Sequence, residues 1–139
     1  MRFTPPIADR VLTRGFDYLS SLYVLGQHAA ADYIPEGRLA TGEPIKAVAD
    51  WEAVGIGWDF YSGFFAALDH AGGWRSFYRH LYGQSPIVVG QRGKQGDIVG
   101  NIGNTGWSEG AHLHFDLCCR ALSITRRPLT SMSLLRLTE

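Results

Sequence analysis

The sharpest alternation of apolar and polar positions in the chain lies near its end, in Gly110-Ala111-His112-Leu113-His114-Phe115-Asp116-Leu117. With a period of two, His112, His114 and Asp116 fall on one side and Leu113, Phe115 and Leu117 on the other, the distribution of a half-buried strand. Same-face neighbours on a strand lie roughly 6.5–7 Å apart, because the rise is about 3.3 Å per residue. That spacing lets one imidazole bind a metal while the next faces a metal-bound water or a substrate.

The same reading places further strands upstream. Pro44 to Asp50, Val54 to Trp58 and Phe64 to His70 are short apolar runs broken at Gly55, Gly57 and Gly63. Ala71-Gly72-Gly73 is a turn signal. It leads into Trp74 to Leu81, where Trp74, Ser76, Tyr78 and His80 share one face and Phe77 and Leu81 the other. Ile87 to Gly100 alternates apolar triplets with glycine turns, and Asn101 to Gly110 reads as a loop. Ile7 to Tyr23 is an irregular arm with room for one short helical turn or strand, Pro35 to Glu43 is a polar loop, and the tail after Arg120 carries no assignable pattern. No fixed-period repeat suggests a solenoid. This rhythm predicts a compact all-β barrel or sandwich rather than strands joined by crossover helices.

Composition narrows the class. A length of 139 residues suits one domain with a real core. With 45% hydrophobic and 19% charged residues the chain is globular rather than disordered. Thirteen basic residues balance thirteen acidic ones, so no net field gathers nucleic acid or an anionic membrane. The two prolines and the acid of Met1 to Arg10 interrupt any signal-peptide core, and no run approaches the ~18 apolar residues of a membrane helix. Cys118 and Cys119 are neighbours on a continuing strand, point to opposite faces and read as small hydrophobes, not as a disulfide or a CxxC zinc site.

The candidate chemistry lies in four of the five histidines. His28 and Asp32 are four apart, which puts them on one face of a strand or of a helix. His80 and the His112/His114 pair complete the set, while His70, just before Gly72-Gly73, reads as structural or surface. Two histidines and a carboxylate around an ion with an open position form a catalytic zinc arrangement. The two remaining histidines are then free for acid–base work or for steadying an oxyanion.

In order, the chain carries HxxxD, Phe77-Tyr78-Arg79-His80-Leu81, Val89-Gly90-Gln91 through Gly96-Asp97-Ile98-Val99-Gly100, Asn104-Thr105-Gly106 and His112-Leu113-His114-Phe115. This combination resembles the lysostaphin/LytM-type zinc endopeptidases of bacterial cell-wall metabolism, over roughly Arg14 to Leu117. The resemblance implies a small, mostly antiparallel β fold with an open groove. It also implies one Zn2+ per chain on His28, Asp32 and His114, with water as fourth ligand and His80 and His112 as the catalytic pair. His112 is then first choice as general base, and His80 orients the water or donates to the oxyanion. Tyr18 or Tyr23 could assist. The substrate would be a peptide of peptidoglycan, and the chain a monomer acting in the cell envelope or after secretion. The segment from Asp32 to Ile45 is longer than usual in that family, and Ala30 and Trp51 stand where glycine is common.

Two other classes share this architecture. A non-catalytic regulator of wall hydrolases typically lacks ligands that this chain keeps. A sugar-transport phosphocarrier uses paired histidines but has no need of Asp32 beside His28.

Overall fold

The computed structural model describes residues 2–15 and 30–119. Nine strands occur in that region: β1 (Arg10–Arg14), β2 (Ala31–Pro35), β3 (Pro44–Lys46), β4 (Trp51–Asp59), β5 (Gly63–Asp69), β6 (Trp74–Leu81), β7 (Arg92–Gly93), β8 (Ile98–Asn101) and β9 (Leu113–Cys119). Seven of them form one sheet in the order β1-β2-β9-β6-β5-β4-β7, and β3 pairs with β8 in a second. Every ladder is antiparallel. The all-β expectation is met. The only helical element among the described residues is a single 3-10 turn, Ala71–Gly73.

The small sheet covers one face of the large one. Ile45 of β3 and Val99 of β8 are fully buried in a common core with Tyr33, Ala66, Leu68, Tyr78, Leu113, Phe115 and Leu117 of the large sheet. Burial of this apolar area is the main force holding the layers together, and truncating Phe115 to Ala would cost about 3–5 kcal/mol. On the opposite face Phe65, Phe77, Arg79, His114 and Asp116 are only partly covered by described residues. That face carries the candidate site residue His114.

The Ile7–Tyr23 arm contains one short strand, β1, which pairs with β2. Two boundaries differ from the periodicity. The run from Pro44 to Asp50 is strand only to Lys46. Beyond it the Ala47 amide and carbonyl bond Asp97 and Gly96 instead of a ladder partner. Gly55 and Gly57 do not interrupt β4, which runs through them with an irregularity between Ala53 and Gly55. Trp51 is buried where its indole N–H donates to the Lys94 carbonyl (3.2 Å), and Gly93 leaves it room: a Cβ there would lie 2.3 Å from the indole. Cys118 and Cys119 are both free and half-buried. Residues 16–29 and 120–139, and with them the expectations for His28, Tyr18, Tyr23 and the tail, lie outside the described residues.

Candidate metal centre and catalytic histidines

Asp32 reaches the centre because β2 lies between β1 and β9 with Asp32 directly opposite His114. Opposed residues of an antiparallel pair project from the same face with their Cβ atoms about 4.5–5.5 Å apart. Their neighbours Ala31 and Tyr33, and Leu113 and Phe115, turn the other way into the core. The alternation of HxH thus does what the sequence implies. The outcome is a carboxylate oxygen, Asp32 Oδ1, 3.1 Å from His114 Nδ1 and 3.6 Å from His112 Nε2.

His80 arrives by a different route, and here the period-two reading needs correction. Ser76 and Tyr78 do share a face, but it is the core face: they pair with Leu117 and Phe115 and are fully buried. A regular strand would send His80 after them and Leu81 outward. Instead Phe64 pairs with Leu81 and Ala66 with Tyr78, so β6 spends three steps where β5 spends two. This extra residue is a β-bulge, and bulges re-aim side chains. His80 takes it up at φ 62, a left-handed conformation uncommon outside glycine. Leu81 consequently returns to the core, fully buried, while the His80 ring centroid comes within 4.9 Å of His112 and 5.6 Å of His114.

One ring nitrogen from each of His80, His112 and His114 lies within 4.8 Å of the other two. Two of these rings have their tautomer fixed by the backbone. His80 Nδ1 lies 2.7 Å from the Thr105 carbonyl and His112 Nδ1 2.6 Å from that of Gly110. A carbonyl only accepts, so each neutral ring carries its proton on Nδ1 and leaves Nε2 as a lone pair. Burial lowers the His80 pKa to about 4, helped by the charges of His112 and His114 and opposed by the Thr105 carbonyl. His114 is lowered too, chiefly by burial, against the pull of Asp32. Neutral imidazoles are the state in which histidine binds metals or accepts protons.

The donor set fits a zinc ion. A nitrogen and an oxygen each about 2.0–2.1 Å from a tetrahedral zinc stand about 3.3–3.4 Å apart. The Asp32–His114 pair is already near that separation. Arg79, the register partner of His114, flanks them, with its guanidinium paired to Asp116, donating to Ser62 Oγ (3.0 Å) and lying over Phe77. A separate concavity of about 500 Å³, lined by Asp50, Glu52, Asp69, His70, Arg92 and Lys94 among others, includes none of these groups. Its charges are already matched, Arg92 with Glu52 and Lys94 with Asp50.

The sequence pattern of peptidase family M23 matches residues 27–124. The chain belongs to this family. Within M23, it is 32% identical over 112 residues to the glycyl-glycine endopeptidase ALE-1 of Staphylococcus capitis, covering 79% of this chain and 30% of that protein. It is 29% identical over 114 residues to the peptidoglycan DD-endopeptidase ShyC of Vibrio cholerae, covering 80% and 25%. The M23 chain therefore spans under a third of the length of these curated relatives. The crystallised catalytic domain of lysostaphin from Staphylococcus simulans superposes with a TM-score of 0.71 at 29% identity, covering 91% of each chain. The expected family and its small antiparallel β fold are both borne out.

The sequence reading named all three described site histidines and Asp32, but missed the carbonyls of Thr105 and Gly110 that orient two of them. The Asn104-Thr105-Gly106 turn was the available signal for the first.

Proposed function

We propose that this M23 chain is a zinc-dependent endopeptidase that hydrolyses peptide bonds of peptidoglycan in the cell envelope or after secretion. His28, Asp32 and His114 hold the ion, and His112 and His80 handle the proton. The observation that carries this reading is the Asp32 Oδ1–His114 Nδ1 separation of 3.1 Å beside two imidazoles with their Nδ1 atoms tied back. Fold alone would not support an activity, since one scaffold hosts many; the retained site residues do.

Zinc, when bound, supplies a Lewis acid that acidifies water and polarises the carbonyl under attack. The chain's own groups do the rest. His112 Nε2 accepts a proton from the attacking water, the carbonyl carbon gains the oxygen, the C–N bond breaks, and the same ring returns the proton to the leaving amine. His80 offers a second Nε2 lone pair. In its neutral form it can orient the water as an acceptor but has no proton there to give an oxyanion, which favours the first of the two roles open to it.

A second ligand arrangement is favoured by the mutual approach of the three imidazoles, His80, His112 and His114. Zinc content separates the two: His80→Gln keeps one equivalent in the first arrangement and loses it in the second. The function itself is tested by release of new amino groups from purified peptidoglycan, with and without chelator, for wild type and His114→Ala. Chelation and the substitution should each abolish release. Undiminished release from His114→Ala, or no release from zinc-loaded wild type, would overturn the proposal.

A further inference from the structure

We infer that Thr105 is a positioning residue for His80: its carbonyl holds the ring's Nδ1 proton, and its hydroxyl fixes where that carbonyl stands. The inference rests on His80 acting in the site proposed above.

The left-handed backbone of His80 (φ 62) is disfavoured for a residue with a Cβ, and such conformations persist only where the surroundings over-determine them. The surroundings here do so from three directions. The His80 amide donates to the Ser62 carbonyl (2.7 Å), its carbonyl accepts from the Gly103 amide (3.0 Å), and its ring donates to the Thr105 carbonyl (2.7 Å). Two of the three partners belong to one loop, residues 103–105.

That loop is anchored by the Thr105 side chain. Its hydroxyl donates to the Leu81 carbonyl (2.6 Å) and accepts from the Phe64 amide (3.1 Å). Leu81 and Phe64 are register partners at the place where the bulge disturbs the β5–β6 ladder. The hydroxyl thus bridges the two strands beside the bulge and ties residue 105 to both.

Shape supplies the rest of the anchor. Gly63 (φ 63) and Gly106 (φ 75) let the backbones of the β4–β5 turn and this loop touch. A Cβ on Gly63 would lie 2.3 Å from the Thr105 carbonyl carbon, and one on Gly106 2.2 Å from the Gly63 nitrogen. The Trp107 amide closes the contact by donating to the Tyr61 carbonyl (3.0 Å). With the loop fixed, the neutral His80 ring keeps its proton on Nδ1 and its lone pair toward His112 and His114. With the loop loosened, ring orientation and tautomer are both free to change. Displacement of a reacting group by an ångström, or loss of an orienting partner, typically costs 10–100-fold in rate.

The test compares Thr105→Val, which keeps the shape and removes the hydroxyl, with Thr105→Ser, which keeps the hydroxyl. Two quantities are read on the zinc-loaded proteins. One is the rate of amino-group release from peptidoglycan, resolved into kcat and KM. The other is the His80 Nδ1 proton in the NMR spectrum, assigned by its absence in His80→Gln. Thr105→Val should lower kcat about 10–100-fold with KM within about threefold of wild type, and should lose or broaden the Nδ1 proton by solvent exchange. Thr105→Ser should restore both. If Thr105→Val does not fold, Thr105→Ala against Thr105→Ser makes the same comparison.

A hydroxyl-free variant with wild-type kcat and a sharp Nδ1 proton would overturn the inference, as would a folded serine variant no better than valine. Wild-type protein inactive on peptidoglycan would sink the proposed function instead. The Nδ1 proton, a property of the fold, would still decide the role of Thr105.

Discussion

The β5–β6 hairpin holds a histidine at each end, and the two have opposite fates. His70 and His80 are almost equally buried, 8% and 5% exposed, and burial lowers the pKa of both. His70 spends both ring nitrogens on the protein: Nδ1 on the Asp50 carbonyl (2.7 Å) and Nε2 on Ser76 Oγ (2.7 Å). The Ser76 and Tyr78 hydroxyls are 2.9 Å apart, and the Val48 amide donates to the Tyr78 oxygen (3.2 Å). With Nδ1 protonated toward a carbonyl, Ser76 has to donate to Nε2, so its oxygen takes the Tyr78 proton. The chain of bonds is closed. His80 spends only Nδ1, and Nε2 has no hydrogen-bond partner among the described residues. What separates the two imidazoles is therefore the partner count, not burial, and on the proposed function that open nitrogen is what lets His80 act.

The contrast is most directly broken by exchanging each ring for a side chain without it. His80→Gln should lower the rate of peptidoglycan hydrolysis by about 10²–10⁴, with a thermal midpoint within a few degrees of wild type. Amino-group release and a melting curve check this. An unchanged rate would place His80 with His70 among the structural histidines.

His70→Leu should do the reverse. It leaves the Ser76 hydroxyl and the Asp50 carbonyl without their partner, at about 1–3 kcal/mol for the buried group. A urea titration should show the loss, while the rate per folded molecule stays within about twofold. A large drop in rate with intact stability would mean that the His70 network reaches the site.

A smaller effect is expected from pH. The folded His70 pKa lies below its ordinary value of 6.5, so the unfolded chain takes up the proton first as pH falls. Its contribution to stability is fully present above about 6.5 and is lost as pH drops toward the lower folded value. Urea midpoints of the metal-free protein should therefore fall with acidification, and less steeply in His70→Leu. Parallel profiles for the two proteins would show that His70 does not couple to folding through its charge.

The smallest change should come from Arg92→Ala, beside the His70 concavity. Its ion pair with Glu52 is mostly solvated, and such pairs contribute little. The melting midpoint should stay within a degree of wild type.

Much of the fold was legible because the code that carries it is local. Leu113, Phe115 and Leu117 alternate with His112, His114 and Asp116, and that alternation alone sets which side chains meet the core and which face away from it. Glycine turns separated the strands, although Gly55 and Gly57 misled, since a strand can run through a glycine when its neighbours hold the ladder. Period two puts His80 on one face with Ser76 and Tyr78, whereas those two lie in the core and His80 turns away from them at the bulge. A bulge shifts the register by one residue without leaving a periodic trace.

The sequence by itself determined the residue types of the centre, their order along the chain and the half-apolar strand that presents two of them. Only the tertiary structure decided that Asp32 stands opposite His114, that a left-handed His80 turns out of the core, and that the carbonyls of Thr105 and Gly110 choose the tautomers. Each of those depends on pairing between segments far apart in the chain, and a hydrogen bond to a backbone carbonyl leaves no mark on the identity of the residue that supplies it.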